Sequence, residues 1–460
     1  MGATTAPAAV GAAAEDHVVT GAAEGPTGPG GAPPRPAPAG DVVVTRLPSG
    51  RRVVTDRMPG AASATLVAVV GVGGRDEPAP LAGVSHFLEH LLCKGSPDRP
   101  ASAVAEDVDA RGGELDAVTD RERTAVQVRV PAGDAGFALD LLGDLVLRPA
   151  LRPAEVEVER RVILEELAQA EEDPEDRAHT LAAVALFGDH PLAREVIGDR
   201  ATLASMGAGE IGAFHTTRYR PGAMVVAAAG AVDHEAVVEA VARWDEGPGP
   251  SMAGDAGPGR VPPSPVAPAT QIRRRPGEQV HVVLGWPLGP VAPAERAAPA
   301  ERAALAVVAH LLGGGPASRL FRSVRDDRGL AYAVDAALSS YSDAGTVTAY
   351  AGCSPSATGA VCRLMADEVA RLASGDVTPR EVEVATGYLA GSFTLAMEDS
   401  GTRAWRVAIE ELERGGARPA AERVAAYRAV TVEDARRAAR ALAGPPAVVA
   451  VGPVPRRLAL

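Results

Sequence analysis

The feature that most constrains the fold is that two halves of the chain predict similar elements in a similar order. Each half begins with strand patterns, continues through helical periodicity and a second set of strands, and then becomes mainly helical. Each half also ends with a helix, a Gly/Pro break and a short apolar strand. Residues 246–270 lie between the halves, and their proline- and glycine-rich composition is typical of a linker between domains.

This repeated order predicts an α+β fold with two homologous domains. We expect residues 41–245 and 271–460 each to form a mainly antiparallel sheet with helices packed on one face. Two such domains joined by a linker would form a clamshell, and a chain of 460 residues is too long for a single core. Residues 1–40 are dominated by alanine, glycine and proline, so we expect a disordered tail that buries too little to offset its ordering entropy.

Charge and cysteine content exclude several classes of partner. The formal net charge is −13 and the sequence has no run of lysine or arginine, so we expect no nucleic-acid partner. The three cysteines form no C-x-x-C pair, which fits a reducing compartment. No apolar run is long enough to span a bilayer, and the first residues lack the pattern of a secretion signal. We therefore expect a soluble, cytoplasmic protein with no membrane partner.

The stretch AGVSHFLEHLLCKG, residues 82–95, carries the clearest chemical signal. Residues four apart share one face of a helix, so His86 and His90 could bind one ion while Glu89 lies beside them. Catalytic zinc commonly has three protein ligands and one open position, and H-x-x-E-H is the inverzincin signature. From this motif alone, the alternative is an amphipathic helix whose histidines are buried and hydrogen-bonded.

A third ligand is expected from the glutamate-rich helical segment at residues 156–176. Its apolar positions predict one buried stripe: Val158, Val162, Ile163 and Leu167. Glu159 and Glu166 lie nearly two turns apart on the same side of the helix and border that stripe. A carboxylate beside an apolar stripe needs a partner, which a metal ion would supply. The other carboxylates of this segment are expected to be solvated.

These segments resemble the pitrilysin/insulinase family of zinc metallopeptidases. The resemblance rests on GVSHFLEHLLCKGS, ERRVILEEL, RGGELDAVTDRERT, HPLAREVIG and, in the second half, LLGGGPASRLFRSVRDDRGLAYAV, which occur in the family's order. It covers nearly all of residues 41–460 and is closest to the branch that contains mitochondrial processing peptidase and its bacterial relatives. Such an ordered set is far more specific than the H-x-x-E-H motif alone.

The resemblance implies a catalytic site with one zinc ion per chain. His86, His90 and Glu166 would be the zinc ligands and Glu89 the general base. Glu159 falls where the family has a further carboxylate, which would orient a ligand or the water. We expect a homodimer in which two chains close a chamber around a peptide. Cys93, just beyond the motif, is expected to be a small buried residue and not a ligand.

The sequence ELDAVTD, residues 114–120, predicts an edge strand beside the site. An edge strand can pair with an extended peptide, and the resembling family has an Asn-Ala dipeptide near the scissile bond in this strand. Here the dipeptide is Asp116-Ala117. Asparagine donates a hydrogen bond to a carbonyl and ionised aspartate does not, so this departure puts the side-chain contact in doubt. A solvated residue at the strand end is an equal alternative for Asp116.

Two residues of the second half match the family's substrate-contacting pair. Arg325 and Tyr332 would contact the peptide, and Tyr332 would donate to a carbonyl or a developing oxyanion. The alternative is a surface arginine and a packed tyrosine. The nearby GGGP, residues 313–316, lacks the G-K-[ST] ending of a phosphate loop. It resembles the family's glycine-rich loop between two helices and would be a gating segment or a helix terminator.

These residues favour a zinc-dependent endopeptidase that cleaves peptides or unfolded polypeptide segments through a metal-activated water. The alternative within the same fold is a non-catalytic substrate-binding or assembly subunit, which would have no need for a complete set of metal ligands. A third interpretation is an α+β protein with a structural histidine pair. That interpretation leaves Glu159 and Glu166 as a coincidence.

Overall fold

The computed structural model describes residues 42–245, 259–288 and 299–456. The tail predicted for residues 1–40 and most of the linker predicted for 246–270 lie outside these residues. The domain boundaries drawn on either side of that linker therefore stay predictions. None of the helices in the described ranges is long and apolar enough to cross a bilayer.

The first half forms a six-stranded sheet. Its strands are β1 (Val42–Arg46), β2 (Arg52–Arg57), β3 (Ser63–Val70), β4 (Glu114–Thr119), β5 (Thr124–Pro131) and β6 (Met224–Gly230). They are ordered β1-β2-β6-β3-β5-β4. All neighbours are antiparallel except β2 and β6, which run parallel.

The second half forms a five-stranded sheet with the same core topology. Its strands are β7 (Thr270–Arg274), β8 (Val280–Leu288), β9 (Ala331–Ser340), β10 (Gly345–Cys353) and β11 (Ala447–Gly452), ordered β7-β11-β8-β10-β9. Only β7 and β11 are parallel. This order and this single parallel pair match the first sheet without β1. The sequence prediction of a duplicated, mainly antiparallel α+β unit is therefore confirmed.

Helices follow the strands in a matching sequence. The first half has α1 (Val84–Leu92), α2 (Ala101–Asp109), α3 (Ala135–Leu147), α4 (Pro153–Glu172), α5 (Pro174–Phe187), α6 (Arg200–Ser205), α7 (Ala208–Arg218) and α8 (His234–Arg243). The second has α9 (Pro299–Gly313), α10 (Thr358–Ala373), α11 (Pro379–Ala396), α12 (Ser400–Arg414), α13 (Ala420–Arg428) and α14 (Val432–Ala439). A π-helical segment, Phe321–Asp326, precedes β9.

One face of each sheet packs against helices of its own half. Buried residues of β3, β5 and β6 form a core with α1, α3, α4, α7 and α8. The equivalent core of the second half joins β8, β10 and β11 to α9, α10, α11 and α14. The cores are rich in valine, alanine and leucine, which suits the low aromatic content of 3% because small side chains allow close packing.

The opposite face of each sheet is covered by a helix from the other half. Helix α5 of the first half packs on β8 and β11, and α12 of the second half packs on β2, β3 and β6. Asp56 on β2 is buried and accepts hydrogen bonds from Arg403 and Arg406 of α12, at 3.0 and 2.8 Å. On the other sheet, the hydroxyl of Tyr350 donates to Glu175 of α5 at 2.8 Å. Each half therefore contributes one helix that packs on the sheet of the other half.

The GGGP segment lies where α9 ends, and its first two glycines are required by close approach. A Cβ atom on Gly313 would lie 2.3 Å from the backbone nitrogen of Ala336, and one on Gly314 would lie 2.2 Å from Nδ1 of His310. The last helical residue is Gly313, so this segment does terminate a helix.

Candidate active site

Helix α1 holds its motif residues along the edge of the first core. Its apolar side chains are buried, as the sequence predicted: Phe87, Leu88, Leu91 and Leu92. His86, Glu89 and His90 are only partly buried. The helix is therefore anchored by its leucines and phenylalanine, while the three polar residues stay accessible for chemistry.

Helix α4 packs beside α1 with a face that differs from the predicted one. Its buried residues are Val156, Glu159, Ile163 and Leu167. Val158 and Val162 were predicted to be buried, but their side chains are 46% and 41% exposed, so that prediction was wrong. Residues 156, 159, 163 and 167 recur every three or four positions and share one face, whereas 158 and 162 lie on the far side of the helix. Glu159 lies within the buried face, next to Glu166 at its border.

The two helices bring His86, His90 and Glu166 together. The Nε2 atoms of His86 and His90 lie 3.9 and 3.5 Å from the same carboxylate oxygen of Glu166. One potential ligand atom from each residue lies within 4.8 Å of the other two. Within residues 42–245, 259–288 and 299–456, no other group of three His, Cys, Asp or Glu residues meets this criterion. The structure thus groups the three residues predicted as ligands, and their binding of metal stays a prediction.

Glu159 contacts this cluster from the buried side. Its Oε2 lies 3.1 Å from Nδ1 of His90, and its Oε1 lies 2.8 Å from Nζ of Lys94. A proton on Nδ1 would donate to Glu159 and leave the Nε2 lone pair of His90 facing Glu166. The sequence prediction missed Lys94, which lies two residues beyond the end of α1 and pairs with a carboxylate of another helix.

Burial and mutual charge shift the pKa values of the clustered residues. Burial, helped by the neighbouring His90, lowers the pKa of His86 to about 4. Burial alone would also lower the pKa of His90, but hydrogen bonds to Glu166 and Glu159 raise it. The hydrogen bond to His90 lowers the pKa of Glu166 despite the opposing effect of burial. A neutral imidazole at His86 and an ionised carboxylate at Glu166 suit a divalent cation, and two nitrogens with one oxygen form a typical catalytic zinc set. The residues present therefore fit a zinc ion.

Glu89 lies beside the cluster on α1 but is not part of the group of three. Burial raises its pKa to about 7, while the charge of His90 and a hydrogen bond with the Thr119 side chain lower it. Thr119 belongs to β4 and was not predicted as a site residue. It is two residues from Ala117 and so points to the same face of the strand, which is the signal that the sequence offered.

The strand that carries Asp116 and Ala117 is β4, which forms one edge of the first sheet and contacts α1. The predicted edge strand beside the site is thus confirmed. Asp116 is exposed, and its Oδ1 accepts a hydrogen bond from the backbone N–H of Ala117 at 3.0 Å. The role of this dipeptide in holding a peptide stays a prediction.

Arg325 and Tyr332 lie together in the second half, Arg325 in the π-helical segment and Tyr332 at the start of the edge strand β9. The Nη1 of Arg325 donates to the backbone oxygen of Tyr332 at 3.0 Å, and its guanidinium lies 4.7 Å from the centre of the tyrosine ring. The Tyr332 side chain is 77% exposed, so it is not the packed tyrosine of the alternative interpretation. Arg325 also lies over the ring of Phe321. None of these contacts reaches the cluster of residues on α1 and α4.

Cys93 is partly buried and has a free thiol, as do Cys353 and Cys362. Burial raises the pKa of the Cys93 thiol to about 12, so the thiolate that binds metals or attacks electrophiles is disfavoured. Cys93 is thus less buried than expected, and its absence from the ligand set stays a prediction.

Comparisons with known proteins show which families and relatives this sequence resembles. The family described as Insulinase (Peptidase family M16) matches residues 52–200, and the one described as Peptidase M16 inactive domain matches residues 205–386. An uncharacterized zinc protease of Mycobacterium tuberculosis is 41% identical, over 86% of this chain and 90% of that protein. The uncharacterized zinc protease YmxG of Bacillus subtilis is 30% identical, over 86% of this chain and 94% of its own length.

Solved structures share the fold at lower sequence identity. A protease from Helicobacter pylori superposes with a TM-score of 0.82 at 20% identity, covering 90% of this chain and 99% of that one. A peptidase M16 inactive domain from Pseudomonas fluorescens gives a TM-score of 0.80 at 19% identity, with the same coverage of both chains. These likenesses support the two-sheet architecture.

Proposed function

Since this chain belongs to the insulinase family of peptidases, family M16, we propose that it is a zinc-dependent endopeptidase that cleaves peptides or unfolded polypeptide segments. The observation that carries the proposal is the meeting of two imidazoles from α1 with one carboxylate from α4. The relatives named zinc proteases support the choice of metal and of reaction class.

In this proposal His86, His90 and Glu166 hold the zinc ion. When bound, the ion supplies a Lewis acid that lowers the pKa of a water molecule and polarises the peptide carbonyl. Glu159 accepts a hydrogen bond from Nδ1 of His90 and so holds the ring with Nε2 toward Glu166, where both would serve as ligands. Lys94 pairs with the other oxygen of Glu159 and offsets its buried charge.

Glu89 moves the proton. Its carboxylate lies on the same helix as both histidines but outside the group of potential ligands, which leaves it free to accept a proton from the attacking water. The same oxygen then donates that proton to the nitrogen of the leaving amine. The Thr119 side chain on β4 lies close enough to this carboxylate to favour its ionised form, since it lowers the pKa of Glu89 against the effect of burial.

The peptide substrate would pair with the exposed edge of β4. Backbone groups there provide hydrogen bonds that do not depend on substrate sequence, which suits an enzyme for extended peptides. Asp116 and Ala117 would lie along the substrate, while Arg325 and Tyr332 would contact it from the second half. We further propose that two chains form a homodimer around a chamber and that the enzyme works in the cytoplasm.

The second candidate function is a non-catalytic substrate-binding or assembly subunit. It is favoured by the description "inactive domain" of the family that matches residues 205–386. That match begins after both helices of the cluster, whereas the match to the peptidase domain at residues 52–200 includes both of them. The catalytic function is therefore the better supported of the two.

The experiment that separates the two functions is replacement of the proposed base. Glu89→Gln keeps the size of the side chain but cannot accept the proton, so we expect cleavage of an unfolded test peptide to fall by about 100-fold or more. Zinc content and thermal unfolding should stay at wild-type values. Glu106→Gln, at an exposed glutamate of α2, is the matched control and should cleave normally. Equal cleavage rates for Glu89→Gln and wild type would contradict the mechanism.

A further inference from the structure

The start of α1 is held by a carboxylate that neither the sequence prediction nor the proposed mechanism uses. Helix α1 begins at Val84, and the residue before it, Gly83, offers no side chain to cap the helix. Instead, Glu77 reaches across from an earlier turn. Its Oε2 accepts the backbone N–H of Gly83 and its Oε1 accepts that of Ser85, both at 2.7 Å. Each oxygen thus satisfies one of the amides that the first turn of a helix leaves unpaired.

Glu77 is buried, and its side-chain hydrogen bonds go to the helix. Its exposure is 5%. Arg194 approaches but donates to the backbone oxygen of Glu77, at 3.0 Å. Burial raises the pKa of Glu77 to about 7, while the hydrogen bonds from the amides of Ser85 and Gly83 lower it and so favour the ionised carboxylate at the helix start. The carboxylate and the start of α1 therefore stabilise each other.

The same helix start also packs closely against a second segment, through a contact between two glycines. A Cβ atom on Gly83 would lie 2.6 Å from the backbone oxygen of Ile197, and one on Gly198 would lie 2.5 Å from that of Ala82. Gly83 also has a φ of 91°, which residues with a side chain rarely adopt. Glu77 and the loop before α6 therefore both restrain the beginning of α1.

The segment that carries Glu77 is itself tied to the second half. Arg75 donates to Asp343, in the turn between β9 and β10, at 2.8 and 3.0 Å. Asp76 accepts from Arg260, which lies within the predicted linker, at 3.0 and 2.8 Å. Three consecutive residues thus link the second half, the linker and α1. Because its two preceding residues are held by these hydrogen bonds, Glu77 is itself restrained where it contacts α1.

We propose that Glu77 is a positioning residue that sets the start of α1 and thereby the placement of His86, Glu89 and His90. The inference rests on the proposed function, because it assigns Glu77 a role in holding the zinc ligands. His86 follows directly after Ser85, whose amide Glu77 binds, and α1 has only nine residues. A shift or tilt at its beginning is therefore passed to both imidazoles, and metal sites tolerate only about 0.5 Å of such displacement.

The test compares zinc affinity in two glutamine variants. Glu77→Gln keeps one acceptor oxygen but turns an NH₂ group toward the second amide and removes the charge at the helix start. Glu410→Gln is the matched control, since Glu410 is equally buried at 5% exposure and also accepts a backbone amide, that of Arg418 at 3.1 Å. It lies on α12, which packs on the opposite face of the first sheet. Zinc alone is the probe, titrated by competition with a chelator, and thermal unfolding of the metal-free proteins is measured in parallel.

We expect Glu77→Gln to weaken zinc binding by about 10-fold, the lower end of the effect of losing a ligand's hydrogen-bond partner, because Glu77 acts on the ligands through the start of α1. Glu410→Gln should lower the unfolding temperature and leave the zinc dissociation constant within about twofold of wild type, because an outer partner's effect requires contact with the ligand environment. A wild-type zinc dissociation constant for folded Glu77→Gln would overturn the inference, as would an equal loss of affinity in both variants.

If Glu77→Gln does not fold, Glu77→Asp replaces it. The shorter carboxylate keeps the charge and can reach one amide, so zinc binding should weaken by less than about 10-fold but measurably. An unchanged dissociation constant in folded Glu77→Asp would again overturn the inference. Failure of the proposed function gives a different result, since wild-type protein itself would then either not bind zinc or bind zinc without cleaving the test peptide.

Discussion

The two halves place equivalent helix pairs against equivalent sheets, but only one pair carries the chemistry of a metal site. In the first half, α1 and α4 set His86 and His90 against the carboxylate of Glu166. In the second half, α9 and α11 occupy the same places in the element order and also pack together. There the ring of His310 stacks on that of Tyr388, with centres 4.3 Å apart and planes 20° from parallel.

This difference shows that the fold supplies a packed helix pair in each half, whereas the ability to bind a metal depends on a few side chains. His90 is surrounded by carboxylates that raise its pKa, whereas burial lowers the pKa of His310 to about 4. One imidazole is held in an electrostatic network, and the other is held neutral against an aromatic ring. The description "inactive domain" belongs to the family that matches residues 205–386, which include His310.

The largest expected effect is a loss of zinc affinity when Glu166, the carboxylate that the second half lacks, is replaced. Glu166→Gln keeps the shape of the side chain but removes its charge and one metal ligand. We expect zinc affinity to fall by more than about 100-fold. Loss of a residue that only hydrogen-bonds to a metal ligand costs up to about 100-fold, and loss of the ligand itself should cost more. Glu165→Gln, at the exposed neighbouring position of α4, is the control and should bind zinc as wild type does. Tight zinc binding by Glu166→Gln would break the comparison between the two helix pairs.

An intermediate effect is expected at His310, as a dependence of stability on pH. The pKa of His310 lies near 4 in the folded chain, below the usual value of 6.5. The unfolded chain therefore binds a proton between these two values that the folded chain does not. Stability from this group is complete above pH 6.5 and is lost as pH falls toward 4, by about 1–2 kcal/mol between pH 7 and pH 5.

The variant His310→Phe tests this effect because it keeps a flat ring against Tyr388 and removes the titrating group. Urea unfolding at pH 7 and pH 5 should show a smaller loss of stability at the lower pH for the variant than for wild type. Its zinc content should be unchanged, since the second helix pair is assigned no metal. An identical pH dependence in both proteins would show that His310 is not held neutral.

The smallest effect is expected at the two edge strands. Asp116→Asn on β4 adds a side-chain donor toward a bound peptide, so we expect kcat/KM to rise by about two- to tenfold, the range of one net hydrogen bond. Asp335→Asn on β9, the corresponding edge of the second sheet, should leave kcat/KM unchanged. Cleavage kinetics on one unfolded peptide measure both variants. An equal gain in kcat/KM for both variants would contradict the proposal that the peptide binds along β4 in particular.

Local patterns in the sequence predicted much of the fold and of the site. The strands β2, β3, β5, β8 and β10 follow apolar runs between turn residues, and the duplicated order of elements predicted the duplicated topology. The site residues on α1 and α4 were predicted by helical spacing and by resemblance, and the structure brings His86, His90 and Glu166 together. Family membership was confirmed by the comparisons.

The features that the sequence prediction missed depend on contacts between distant segments. Amphipathic spacing indicates that α5 and α12 each bury one face, but it does not specify which sheet receives that face. Val158 and Val162 were assigned to the wrong side of α4 because a valine on an exposed face looks the same in sequence as a buried one. Glu77 and Lys94 were missed because their partners are a helix start and a carboxylate on another helix.

The most direct test of the account is the zinc content of the purified wild-type chain, measured with peptide cleavage before and after chelation. We predict about one zinc per chain, removal of zinc and activity together by a chelator, and recovery of both when zinc is returned. A well-folded protein that stays metal-free under zinc-replete conditions, or that still cleaves peptides after its metal is removed, would contradict the central claim that α1 and α4 form a zinc-dependent peptidase site.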